Sequence, residues 1–188
     1  MARPKSDERR IAIMSAATRV IAAQGLGAPT SLIAKEAGVS NGSLFTYFQT
    51  KADLLNDLYV DLKTEMAAAS LDGLPTEAEV REQMAHMSAR GLQWAIASPE
   101  KRRALAHLSV SEEVTAESRE IGHRAMSGVA RLLERSRENG PMREAPLALM
   151  VGLMNAVADA TVDCVLRDPA HADELGKAGF EAMWRMLA

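Results

Sequence analysis

Apolar residues recur three and four positions apart along almost the whole chain, with no alternating polar and apolar stretch between them. The pattern predicts helices throughout. A first helix is expected from near Ser6, with Asp7 and Glu8 in its first turn, where the helix dipole favours acids. Ile11, Met14, Ala17 and Ile21 form its expected buried face, and Gly25 ends it. Two short helices follow, from about Thr30 to Ala37 and from Asn41 to Phe48. Thr50 and Asp53 cap a long fourth helix striped by Leu54, Leu58, Leu62 and Met66, up to a break at Asp72–Pro75. Thr76 and Glu79 read as a second capping box, opening a helix to about Ala97, and Ser98-Pro99 opens the next. One long helix is expected from about Thr115 to Asn139, and another from about Ala145 to Leu166. Asp168-Pro169 opens the last, with Leu175, Gly179, Ala182, Met183 and Met186 on its apolar face. The expected fold is all-α, with about nine helices.

The two short helices carry the clearest chemistry. Ala34, Ala37 and Gly38 are small where two helices would cross closely, and Ser40 stands where its hydroxyl can cap the second helix. Val39, Leu44 and Phe48 are apolar where that helix must seat on a core. This is the pattern of a helix-turn-helix, whose second helix lies in the DNA major groove. Its opposite face carries Asn41, Gly42, Ser43, Phe45, Thr46 and Tyr47. Asn41 suits a base edge, most simply adenine, and Phe45 or Thr46 a thymine methyl. Gly42 lets the backbone come near the duplex. Tyr47, Ser43 and Thr30 are candidates for phosphate oxygens, and Lys51 for a charged phosphate contact at the start of the fourth helix. Ser40 and Thr30 serve equally as caps. Arg3, Pro4 and Lys5 read either as an arm for the minor groove or as a basic tail.

Charge sharpens this picture. The whole chain of 188 residues carries a net charge of −3, which does not suggest nucleic acid. Residues 1–51, however, hold seven lysines and arginines against three acids, and the rest fifteen against twenty-two. A head of +4 on a body of −7 suits a protein that offers one end to phosphates. The expected division is a DNA-binding head of residues 1–51 and a body of residues 52–188.

Other classes find little support. Cys164 is the only cysteine, so no intrachain disulfide forms, and His86, His107, His123 and His171 show no metal-ligand spacing. No phosphate loop or nucleophile elbow is present. No enzyme activity, metal or cofactor is expected. The polar N-terminus and a longest uncharged apolar run of 14 residues, Ala145 to Ala158, argue for a cytoplasmic protein outside the membrane. That run is apolar around its circumference, so it needs cover on more than one side, from its own domain and a second copy of the chain or from ordinary core packing.

The run Ile33-Ala34-x-x-Ala37-Gly38-Val39-Ser40-x-Gly42-x-Leu44-Phe45-x-Tyr47-Phe48-x-x-Lys51-x-x-Leu54 resembles the TetR/AcrR family of transcriptional regulators. Phe45 departs from it, since tyrosine is common there. Body phrases (Leu58-Tyr-Val-Asp-Leu-Lys63, Leu108-Ser-Val-Ser-Glu112, and Arg167-Asp-Pro169 with Gly179-Phe-Glu-Ala-Met-Trp184) resemble the RamR-type drug-sensing repressors. The resemblance implies a homodimer through the last two helices, a palindromic operator, and release by a small hydrophobic or cationic effector. Its pocket would be lined by Tyr59, Lys63, Met66, Met84, Trp94, Met150, Met154 and Asn155. Read as residues alone, these methionines suit a repacking cavity or ordinary core filling. Asn155, Asp159 and Asp163 form a polar stripe that faces a cationic ligand, solvent or the dimer edge. An alternative keeps the fold but replaces the small molecule with a protein partner.

Overall fold

The computed structural model describes the backbone of residues 5–188 and the side chains of residues 7–188. Arg3 and Pro4, and the side chains of Lys5 and Ser6, fall outside it, so the expected arm and first cap lie beyond the described residues. Those residues form ten α-helices and one short 3-10 turn, without strands. The helices are α1 (Lys5–Gln24), α2 (Thr30–Glu36), α3 (Asn41–Tyr47), α4 (Lys51–Leu71) and α5 (Val80–Ala97). Then come α6 (Pro99–Ser109), α7 (Ala116–Ala125), α8 (Ser127–Arg137) and α9 (Leu147–Arg167). The 3-10 turn (Pro169–His171) leads into α10 (Ala172–Leu187). Two compact units result, Met1–Thr64 with Ser98–Arg124, and Glu65–Ala97 with Ala125–Ala188.

In the first unit α1 packs on α2 and α6, and α2 packs on α3. Ile13, Ala17, Ile21, Ile33, Leu44, Leu54, Leu58 and Leu108 are closed to solvent. Of the expected face of α1, Met14, Ala17 and Ile21 are buried, but Ile11 is 45 % exposed and Ile13, at 0 %, is enclosed instead. At about 100° per residue, Ile11 falls across the helix from the line through Ile13, Ala17 and Val20. Arg19 of α1 holds Glu36 of α2 at 2.9 Å. The α6–α7 loop is pinned by Arg119, which donates to the Ser109 and Ser111 carbonyls, and by Asn56, which donates to the Glu113 carbonyl.

The second unit is built around Met84, Met87, Leu132, Leu133, Met150, Met183 and Leu187. Here α5 packs on α8, α9 and α10, and α9 on α10. Gly179 permits a close approach of α10 to α9, because a Cβ there would stand 2.2 Å from the Thr161 hydroxyl.

Three boundaries differ from the sequence expectation. The helix expected over residues 115–139 is two, broken at Met126, whose φ of −83° and ψ of 3° leave the helical ladder. Gly122 and Gly128, on either side, are poor helix formers. The box at Thr76 and Glu79 does not form. Instead the Ala78 N–H bonds the Pro75 carbonyl, the buried Gln83 amide donates to the Thr76 and Ala78 carbonyls, and α5 begins at Val80. Asp168-Pro169 opens the 3-10 turn rather than the last helix itself.

Among the described residues α9 is covered on one face only. Met150, Val162 and Val165 are buried, whereas Leu149, Val151 and Leu166 are 50 %, 39 % and 43 % exposed. Its length and composition would let it cross a bilayer, yet it packs along α5 and α10 and carries Asp159 and Asp163 on its exposed side.

Candidate nucleic-acid interface

The turn between α2 and α3 is fixed by backbone geometry. Ala37 ends α2, Gly38 adopts a left-handed φ of +69°, its N–H bonds the Lys35 carbonyl, and the Val39 N–H bonds the Ala34 carbonyl. This is a helix C-terminus closed by a glycine at the position that needs positive φ. A Cβ on Gly38 would meet nothing within 4 Å. Conformation, rather than the close helix crossing expected from sequence, therefore requires the glycine. Gly38→Ala is expected to lower stability by about 1–2 kcal/mol through strain alone. A urea melt that leaves the midpoint unmoved would refute this.

Ser40 then caps α3, its Oγ accepting from the Ser43 N–H at 3.1 Å. The Ser40 hydroxyl proton stays available to a phosphate oxygen. Leu44 and Phe48 are 0 % and 2 % exposed and anchor the helix. Asn41, Gly42, Phe45 and Thr46 are exposed on the other face, with Ser43 and Tyr47 half-buried at its edges. Thr46 donates its hydroxyl to the Gly42 carbonyl. Gly42 has open space where a Cβ would stand.

The start of α4 is more occupied than the sequence suggested. Thr50 and Asp53 form the reciprocal box, the Thr50 N–H bonding the Asp53 carboxylate and the Asp53 N–H the Thr50 hydroxyl. Lys51 Nζ donates to the Leu26 carbonyl at 2.5 Å. An ammonium has three protons, so this bond orients Lys51 without exhausting it. Thr30 is the first residue of α2, after Pro29, and makes no cap, so its hydroxyl is not committed to the helix.

Sequence reasoning missed Arg10. Its guanidinium on α1 lies 5.3 Å over the Phe48 ring and 2.8 Å from Asp57 of α4. No local signal marks it, because its partners lie 38 and 47 residues away along the chain.

The body residues named from the resemblance fall in both units. In the first, Tyr59 is buried against Gly122, where a Cβ would stand 2.8 Å from its ring, and Lys63 Nζ lies 5.9 Å over that ring. Burial raises the Tyr59 phenol above its ordinary pKa, with Arg119 opposing, and lowers the Lys63 amine. In the second, Met84 and Met150 are fully enclosed, Met154 packs on that core, Met66 is half-buried and Asn155 is exposed. The half-buried Trp94 donates from Nε1 to Glu65 at 2.9 Å. An open cleft of about 440 Å³ in the second unit is lined by Glu134, Arg135, Arg137, Glu138, Arg143 and Glu144. Three cations there face three anions, and Arg137 is spent on Glu134 and on the carbonyls of Met142, Arg143 and Ala145.

Known proteins share this arrangement. Residues 13–58 match the model of bacterial regulatory proteins of the tetR family. A tetR family transcription regulator candidate from Shewanella sp. PV-4 is 27 % identical over 94 % of this chain and 96 % of its own, with a TM-score of 0.82. A TetR family transcription regulator from Marinobacter aquaeolei VT8 is 22 % identical, covers 100 % and 99 %, and has a TM-score of 0.86. The regulator FadR from Bacillus subtilis, solved in complex with stearoyl-CoA, is 19 % identical, covers 95 % and 99 %, and has a TM-score of 0.68. The chain thus has the fold of the TetR family regulators, with that family's helix-turn-helix DNA-binding domain at its N-terminal end.

Proposed function

We propose that this protein is a homodimeric, cytoplasmic transcriptional repressor that grips a palindromic operator and leaves it on capturing a small hydrophobic or cationic compound. The observation that carries this reading is the outer face of α3, where Asn41, Gly42, Phe45 and Thr46 stand exposed on a helix pinned by Leu44 and Phe48. An uncovered aromatic ring beside a side-chain amide matches the chemistry of thymine and adenine edges. Lys51, Thr30, Ser40, Ser43 and Tyr47 would then hold phosphates. One such helix reads too little sequence for useful specificity, so two are needed, roughly 34–36 Å apart. The uncovered apolar face of α9 speaks for that second copy, with α9 and α10 of each subunit forming the bundle.

The small-molecule part rests on the likeness of the body to RamR-type sensors, and on a fold that in the Bacillus subtilis protein was solved with stearoyl-CoA. Effector binding would act by population shift, favouring a conformation in which α4 takes the heads out of register. A second reading, control by a protein partner, gains weight from Met84 and Met150, which are used as closed core. Thermal-shift screening with apolar and cationic compounds separates the two, since a pocket ligand raises the melting point by mass action.

Selection from randomised duplexes tests the DNA-binding reading. An enriched inverted repeat with half-sites about 10 base pairs apart, centre to centre, is expected. Against that duplex Asn41→Ala should cost ~1–3 kcal/mol and relax one base position, whereas Lys51→Ala should weaken all sequences alike and reduce the salt slope by about 1. Failure to enrich any repeat would remove the groove model.

A further inference from the structure

Arg10 sits where three helices meet within the first unit. It rises from α1, lays its guanidinium over the ring of Phe48, the residue that ends α3, and is held there by Asp57 of α4 at 2.8 Å. The planar guanidinium can stack on a ring and donate to a carboxylate at once, which an ammonium cannot do in one geometry. The Phe48 ring is 2 % exposed and packs beneath α3, so whatever fixes that ring fixes the tilt of the helix. Both charged side chains are about half exposed, at 46 % and 50 %, and a pair so wet adds little to fold stability.

We propose that Arg10 is a positioning residue for DNA recognition, with Asp57 clamping it on Phe48 so that α4 dictates the angle at which α3 enters the groove. The proposal rests on the DNA-binding reading above and adds a coupling that this reading lacks. A shift of α4 at Asp57 reaches the recognition helix through one side chain, without unpacking the core.

Simple electrostatics and positioning predict opposite signs for one substitution. Asp57→Asn removes a negative charge from the DNA-binding unit, so charge alone would tighten binding to every duplex. Loss of the clamp should instead weaken binding to the selected palindrome by about tenfold, the scale of one well-placed contact. Affinity for a scrambled duplex should stay equal or rise slightly. The test is fluorescence anisotropy on both duplexes with wild type, Asp57→Asn, Arg10→Met and the double variant, with thermal melts alongside. The expected results are a lower palindrome-to-scrambled ratio for Asp57→Asn, a nearly unchanged melting point, and no further fall in that ratio when Asp57→Asn is added to Arg10→Met. Equal or tighter binding of Asp57→Asn to both duplexes, or additive effects in the double variant, overturns the clamp while DNA binding stands. A wild-type protein that prefers neither duplex overturns both.

Discussion

Gly42→Leu is expected to leave the protein as stable as before and to weaken binding to its operator at least a hundredfold, about 2.7 kcal/mol. The two halves of that expectation come from different facts. In the free protein a Cβ at Gly42 meets no atom within 4 Å, and its φ is not positive, so nothing in the fold opposes a side chain there. Leucine is also the better helix former by a few tenths of a kcal/mol or more. In the proposed complex the same empty space would be filled by the duplex, because Gly42 lies on the exposed face with Asn41, Phe45 and Thr46. A branched side chain would hold the helix off the base edges. Leu44→Ala makes the contrast, since it hollows the core beneath α3 and should reduce stability and affinity together. Anisotropy and thermal melts on both variants decide the matter. Full operator affinity in Gly42→Leu would mean that this face of α3 does not approach DNA.

The second large effect is expected far from any DNA. Arg137→Ala should cost about 3 kcal/mol, or roughly 6–12 °C in melting temperature for a chain of this size. Arg137 is only 8 % exposed. Its Nη1 lies within 3.0 Å of the carbonyls of Met142, Arg143 and Ala145, so two protons are shared among three acceptors. Its Nε and Nη2 fork onto Glu134. The substitution removes a donor from three turn carbonyls, of which Met142 keeps only the Ala145 N–H, and takes the partner from the half-exposed Glu134 in one step. Arg137→Lys retains the charge but cannot span both sets of acceptors, so it should recover only part of the loss. Equal urea midpoints for wild type and Arg137→Ala would show that water replaces the guanidinium at no cost.

The helix-turn-helix was legible in the sequence because its determinants are local. Ser40 and the pair Thr50 and Asp53 bond partners three residues away, and the four-residue spacing of Leu44 and Phe48 puts both on one inward face. Gly38 was found as well, for the wrong reason, since small size and left-handed backbone leave the same letter in a sequence. The misplaced elements share a different cause. Gln83, which displaces the box at Thr76, acts seven residues downstream through its side chain. The break at Met126 lies between glycines that press on Tyr59 and on Leu71, neighbours that periodicity cannot reveal. Ile11 was assigned inward because a helix with so many apolar residues allows more than one stripe, and packing chose the line through Ile13. Arg10 depends on partners contributed by two other helices, so its role emerges only in three dimensions. The body residues taken from the resemblance are a list without geometry, and the enclosed Met84 and Met150 show how readily one thioether suits a lining or a core.

The placement of α6 against α1 has a bearing on how the protein is born. A ribosome that has translated as far as Thr64 has made all of α1, α2 and α3, yet one wall of their unit is still unsynthesised. The side of α1 that α6 will cover must wait, wet, until translation has passed Ser109. The unit that carries α3 is therefore completed late in the nascent chain, even though α3 itself is made well before α6.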